Sequence, residues 1–362
     1  MSSTRSILGP FSSTFLISDE YQHSSFSCPV LPNSEDTDKQ VSSEDVVGAG
    51  GRNIGIWRSI DNGNSWQAVD APLIFSRGDG QQRTSIAAFA HSSEQPEMIY
   101  AATREVGLLR SDDKGGNWTR IAPSLPSKLE NVAVSSDGRR MAVLGEEGGL
   151  FLSDDGANEW IRLDDPDRCP NPDENLPAGF VGESLLFTGD SLFAGTKSTL
   201  RSMPAYAGIY LSRDGGLCWS RIHDGVGIYG YKTLVEVPGE ADSLLVLIFD
   251  SSQRVTSLTR LGVASGSTQP IWTSKAPIKS AILFDDSEPV HWYLATAAGE
   301  AVRGVSTQTT EGVYKWPRLW RCLLPCLAHS LALDGKGVPL LLARSKLYRV
   351  TEVTFAQWFL QR

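Results

Sequence analysis

The 362-residue chain has no stretch approaching the roughly 20 consecutive apolar residues of a membrane-crossing helix, so membrane insertion is not expected. Its N-terminus, "MSSTRSILGPFSSTFLISDE", lacks the uninterrupted apolar centre of a secretion signal, because Ser, Thr and Pro break it. That opening is Ser-rich and short of acidic residues over its first 18 positions, which leaves a transit peptide as the alternative to a plain tail. The expectation is a cytoplasmic protein with a tail over residues 1–12, followed by a strand in "STFLIS". There is no basic excess either. The formal net charge is -9, which argues against a nucleic-acid partner. Cysteines are five, an odd and scattered set (Cys28, Cys169, Cys218, Cys322, Cys326) that makes a poor disulfide framework and fits a reducing compartment. Cys322 and Cys326 lack a nearby Cys/His pair to complete a zinc spacing, and the five histidines do not cluster. No metal site and no cofactor is expected.

What the chain does have is repetition. "SIDNGNSW" (Ser59 to Trp66), "SDDKGGNW" (Ser111 to Trp118) and "SRDGGLCW" (Ser212 to Trp219) share the pattern S-x-D-x-G-x-x-W. "SDDGANEW" (Ser153 to Trp160) is a looser copy whose glycine stands one place early, at Gly156. A chance match in such a chain has odds of about one in a thousand, so the set is internal repetition. The surroundings repeat as well. A short β-type run, a Gly-containing break and a second β-type run ending in Ser precede each copy, and one alternating run such as "WTRIA" or "WSRIH" follows it. With a preceding run such as "SIAAFAHS", the unit reads as four antiparallel strands spaced by roughly 40–60 residues. Tryptophans continue the rhythm at Trp66, Trp118, Trp160, Trp219, Trp272, Trp316 and Trp358, with Trp320 competing for the sixth place. The fold class expected is all-β: a single seven-bladed β-propeller over residues 13–362, built of four-stranded antiparallel blades.

Each residue of the octamer has a structural task. The carboxylates of Asp61, Asp113, Asp155 and Asp214 can accept bonds from the turn's own N–H groups. Gly63, Gly115 and Gly216 supply a positive φ. Ser59, Ser111, Ser153 and Ser212 add local bonds, and the four tryptophans pack against neighbouring strands. A calcium loop would require more oxygen ligands and a distal bidentate Glu.

The motif resembles the Asp-box, or BNR repeat, of β-propellers such as sialidases, xyloglucanases, sortilin-type receptors and a photosystem II assembly factor. The resemblance covers about residues 46–222, with strand rhythm and tryptophans alone beyond. It implies fold more than function, because these families include enzymes, receptors and assembly factors. No Arg-Ile-Pro type segment precedes Ser59, as a sialidase would require. Xyloglucanase-type enzymes place acid and base between two tandem propellers, and a chain of this length holds one. A sortilin-type receptor would bring disulfides and a membrane span. By elimination the sequence is most similar to the single-propeller assembly factors.

The function expected is therefore a non-enzymatic, protein-binding or assembly scaffold that uses the face opposite the octamer turns. That face receives long loops over Asp70–Arg83, Asp164–Gly179, Gly195–Gly208 and His223–Lys232. Arg77, Arg83, Arg201, Tyr206, Tyr229 and Tyr231 are the candidate partner-binding residues, being of types enriched at interface hot spots. Tyr229 and Tyr231 could equally cover the end of the core. Arg77-Gly78-Asp79 reads as a solvated turn. The alternative function is a glycan-active enzyme, sialidase- or glycoside-hydrolase-like, with Glu146 and Glu147 acting beside Asp167 or Asp173. A passive glycan-binding propeller is a third reading.

Overall fold

The computed structural model describes residues 16–17, 47–51, 55–60, 67–69, 74–77, 80–92, 94–95, 97–165, 168–177, 180–196, 207–225, 228–237, 240–250 and 255–275. It also describes the strand backbone of 283–285, 290–295, 300–308, 314–323, 328–333, 339–343 and 346–349. These residues are nearly all β. The first sheet orders β1 (Leu16–Ile17), β2 (Val47–Gly51), β3 (Gly55–Ser59) and β4 (Gln67–Ala68). A separate hairpin follows, β5 (Ile74–Arg77) and β6 (Gly80–Arg83). The second sheet holds β7 (Ile86–His91), β8 (Ile99–Thr103), β9 (Leu108–Ser111) and β10 (Thr119–Ile121). The third holds β11 (Leu129–Val134), β12 (Met141–Gly145), β13 (Leu150–Ser153) and β14 (Ile161–Arg162). The fourth holds β15 (Gly182–Thr188), β16 (Ser191–Thr196), β17 (Gly208–Ser212) and β18 (Ser220–Asp224). The fifth holds β19 (Ile228–Val237), β20 (Glu240–Asp250), β21 (Val255–Gly262) and β22 (Thr268–Ser274). The sixth holds β23 (Leu283–Asp285), β24 (Val290–Ala295), β25 (Glu300–Gln308) and β26 (Tyr314–Leu323). A three-stranded sheet comes last: β27 (Ala328–Leu333), β28 (Pro339–Ala343) and β29 (Lys346–Arg349).

Strands pair antiparallel in chain order throughout, with one exception. β1 runs parallel to β2, Leu16 opposite Gly50 and Ile17 opposite Gly51. The sequence expectation of wholly antiparallel sheets is corrected here. A tight hairpin imposes antiparallel pairing, but residues 18–46 lie between these two strands, a connection long enough for a crossover. Of the strand expected in "STFLIS", Leu16–Ile17 are strand and the remaining positions lie outside the described residues. Trp316 and Trp320 both fall in β26, and Trp358 lies outside the described residues.

Sequence pattern explains which strand lies where. β12, "MAVLG", is buried at every position, as a strand covered on both faces must be. β21, "VTSLTRLG", alternates more nearly, and the short β10 and β14 are exposed or only half-buried. Core side chains form clusters between consecutive sheets. Ala88, Ala102, Leu129 and Met141 join the second sheet to the third, while Leu144, Leu152, Phe187 and Tyr210 join the third to the fourth. Phe193, Leu211, Val246 and Leu261 join the fourth to the fifth. The core is therefore divided into clusters, each lying between two consecutive facing sheets. Among the described residues, first strands of several sheets are neighbours: β1 touches β7 and β27, β11 touches β7 and β15, β15 touches β19, and β23 touches β27.

Candidate interaction face

The octamers join the third strand of a sheet to the fourth, at β9–β10, β13–β14 and β17–β18. In the second sheet, the Ser111 hydroxyl donates to Asp113 Oδ1 at 2.8 Å and accepts from the Gly115 N–H at 2.8 Å. Asp113 Oδ1 in turn accepts from the N–H groups of Gly116 (2.9 Å) and Asn117 (2.8 Å). Ser153–Asp155 and Ser212–Asp214 repeat the arrangement, accepting from Ala157, Asn158 and Glu159 and from Gly216, Leu217 and Cys218. Two consecutive left-handed residues make each reversal: Lys114–Gly115, Gly156–Ala157 and Gly215–Gly216. The glycine displaced to Gly156 thus leaves Ala157 at φ 75, a conformation that favours glycine. Partial burial works to raise the Asp113 carboxyl, but the bonds from Asn117, Ser111 and Gly116 outweigh it and hold the group at about 2. Trp118 and Trp160 tuck their indole N–H onto the Gly115 and Ala157 carbonyls at 3.0 and 3.2 Å. Of the first octamer, Ser59 ends β3, while Asp61, Gly63 and Trp66 lie outside the described residues. On this same side an open groove of about 420 Å³ runs between the second and third sheets, past Met98, Arg110, Arg139 and Asp155.

The opposite face gathers the loops between second and third strands and the connections between sheets. An ion-pair cluster organises it. Arg104, just after β8, donates to Glu146 Oε1 at 2.8 Å and to Glu130 Oε1 at 3.2 Å. Burial works to lower the Arg104 guanidinium, and the two carboxylates more than restore it, so it stays charged. Lys128 holds Glu147 at 2.8 Å, and this bond keeps the exposed Glu147 carboxyl below its usual range. Glu105 reaches back to the Thr84 hydroxyl (2.7 Å) and the Ser85 N–H (2.6 Å). Nothing local in the sequence announced the Arg104 cluster, because its members lie 26 and 42 residues apart.

The candidate partner-binding residues divide. Arg77 ends β5 and Arg83 ends β6, across the hairpin that reverses between Arg77 and Gly80. Arg201 and Tyr206 lie outside the described residues. Tyr229 belongs to β19, and its side chain is likewise outside them. Tyr231 must be corrected. It is 0% exposed, packed with Phe193, Ile209 and Leu234, and so cannot present its ring to a partner. Its hydroxyl meets His223 Nδ1 at 3.0 Å, and burial pushes the phenol well above its usual range. The supposed loop His223–Lys232 is mostly strand, because β18 runs to Asp224 and β19 begins at Ile228.

The acidic connection Asp164–Gly179, expected on the face opposite the octamer turns, is corrected: it folds back along the rim to the fourth sheet's octamer, where the Glu174 carbonyl accepts from the Trp219 backbone N–H and Arg168 donates to the Gly216 carbonyl. Asp164 accepts from the Leu150 N–H and pairs with Arg162, and Pro172–Glu174 forms a 3-10 turn capped by Asn171. Cys169 and Cys218, 49 residues apart, form a disulfide. That overturns the expectation of unpaired cysteines. The connection carries Cys169 across to the fourth sheet's octamer, a proximity that spacing along the chain cannot express.

Serial antiparallel sheets with neighbouring first strands and packed faces define a β-propeller, and solved structures agree. An ancestral GH74 enzyme matches with a TM-score of 0.60 at 14% identity, covering 86% of this chain and 43% of its own. The Dos1 propeller matches at 0.56 and 11%, covering 85% and 92%. YCF48 bound to D1 peptide matches at 0.51 and 13%, covering 90% and 100%. By sequence, a xyloglucanase from Paenibacillus sp. is 22% identical over 291 residues, 74% of this chain and 24% of the enzyme. The chain thus spans about a quarter of that relative's length. No family model matches the chain.

Proposed function

We propose that this protein is a non-enzymatic scaffold of the Asp-box class, a single ring of seven blades that holds a macromolecular partner on the face opposite the octamer turns. The observation that carries the proposal is the state of the loop carboxylates. Glu146 and Glu147, the candidate acid and base, are each engaged by a different cation, Arg104 and Lys128. A general acid is a carboxyl whose surroundings favour its protonated form, by burial or by a second carboxylate, whereas a cation in direct contact favours the ionised form. Both glutamates instead tie loops together. Contacts of β1 with both β7 and β27 support closure of a ring, and the seven sheets of the described residues other than the β5–β6 hairpin support its blade number. Coverage of the whole YCF48 chain, which was solved with a bound peptide, supports a protein partner. The cytoplasmic location is part of the same proposal.

The candidate surface comprises Arg77, Arg83, Arg201, Tyr206 and Tyr229, with Tyr231 removed. Capture of partners from the native source by the wild type and by an Arg201→Glu/Tyr229→Ala variant, both shown to be folded, tests it. Loss of a specific protein complex is expected, and unchanged capture would sink the proposed face. The likeness to a xyloglucanase favours a second reading, glycan hydrolysis. Turnover of xyloglucan by the purified chain, lost in Glu146→Gln, would replace the scaffold reading with it.

A further inference from the structure

The rim connection carries a second, unrelated constellation. Cys169 Sγ, Cys218 Sγ and a carboxylate oxygen of Glu174 lie within 4.8 Å of one another. Around a tetrahedral zinc-class ion, sulfur and oxygen ligands at bonding distance sit about 3.5–3.8 Å apart, so the two sulfurs, bonded to each other here, must separate on reduction, while the Glu174 oxygen already lies beside them. More telling is what holds them. The Asn175 side chain grips Cys169 through both its N–H (2.8 Å) and its carbonyl (3.4 Å). The Cys218 N–H is held by Asp214 at 3.0 Å, inside the octamer turn. Asn171 donates to Glu174 Oε1 at 2.9 Å, and the Glu174 carbonyl accepts from the Trp219 N–H at 2.6 Å. None of these bonds depends on the sulfur–sulfur bond: they hold the backbones of Cys169 and Cys218 and the side chain of Glu174 in place around one point.

We infer that the reduced protein binds one thiophilic divalent cation of the zinc class through Cys169, Cys218 and Glu174, and that the disulfide is the metal-free, oxidised form of the same site. The balance is simple. A cellular dithiol delivers two electrons and two protons to the disulfide, becoming a disulfide itself and leaving two thiols. The cation then displaces both thiol protons, forming two metal–thiolate bonds, with the Glu174 oxygen third and a solvent molecule fourth. Asp214 and Asn171 act as outer-shell groups that orient the donors. The site would link the rim connection to the fourth sheet in a reducing compartment, where the disulfide does not persist. The inference stands apart from the scaffold proposal and survives its failure.

Cobalt(II), a spectroscopic stand-in for zinc, is the probe. The full chain is reduced, freed of metal and titrated anaerobically. One equivalent should give thiolate-to-cobalt charge-transfer absorption that zinc displaces, and the oxidised protein should give none. Glu174→Gln should weaken binding by about tenfold or more. Changing Cys28, Cys322 and Cys326 to serine should leave it intact. Should Cys218→Ser misfold, alkylation of the folded, reduced wild type provides the same loss of binding. A thiolate–cobalt signal that survives Cys218→Ser or alkylation, a Glu174→Gln variant of unchanged affinity, or no signal at stoichiometric cobalt would each overturn the inference.

Discussion

The second to fourth sheets and the fifth sheet end a third strand and begin a fourth by different means. In the former, third strands run four or five residues and fourth strands two to five, and an octamer turn carries much of the bonding. The fifth has no octamer. Its strands run 10, 11, 8 and 7 residues, and a long ladder does the work. Its turn is simpler, with Gly262 and Ser267 bonded across Gly266 at φ 65. Trp272 is as buried as Trp118 at 4%, but its indole N–H finds no carbonyl, and neither does that of Trp219. Local side-chain caps and strand length are thus interchangeable ways to satisfy the same backbone groups. A sheet that keeps the cap can afford very short outer strands.

The largest break in this comparison should come from Trp118→Ala. Removing a buried aromatic costs about 3–5 kcal/mol, and Trp118 also loses its bond to Gly115. Urea unfolding should show Trp272→Ala costing less by roughly 1 kcal/mol, the worth of one hydrogen bond. Equal losses would mean that the indole bond adds nothing.

Next come two glycines at similar φ. A Cβ on Gly216 would meet Leu163 Cδ1 at 2.5 Å, whereas one on Gly156 meets nothing within 4 Å. Gly216→Ala should cost about 1–3 kcal/mol beyond the roughly 1 kcal/mol of left-handed strain expected for Gly156→Ala. If thermal midpoints fall equally, packing of the turn against the preceding sheet is not what holds it.

Smaller again is the effect of Asp113→Ala, about 1 kcal/mol near neutral pH. Its pH dependence has a definite sign. The folded carboxyl, at about 2, lies below the unfolded value near 3.9, so its contribution is full above roughly pH 4. It is lost as pH falls through about 2. Wild type and variant should therefore converge in acid, and a gap that stays constant down to pH 2 would contradict the bonding described. Smallest is Ala157→Gly, which relieves φ 75 and should stabilise by about 0.5 kcal/mol after the entropy of glycine is counted.

The octamer was legible because the side-chain bonds that define its turn lie within a few residues: serine to aspartate at two, aspartate to amides at three and four, and the Trp118 indole to a carbonyl at three. Local chemistry and the four-strand rhythm were therefore readable from the amino acids alone. The β-propeller fold could be anticipated from them, because a repeating unit that buries both faces must stack on its neighbours. Other features depend on which surfaces meet. Tyr231 looked like a loop aromatic and is core, because β19 extends its ladder beneath the fourth sheet. Arg104 meets Glu130 and Glu146 only because adjacent sheets bring them to one face. Cys169 reaches Cys218 only because a Pro-rich connection folds back along the rim. Sequence spacing encodes contacts within a turn or a hairpin. Contacts between sheets depend on twist and stacking, and there the tertiary structure alone decided.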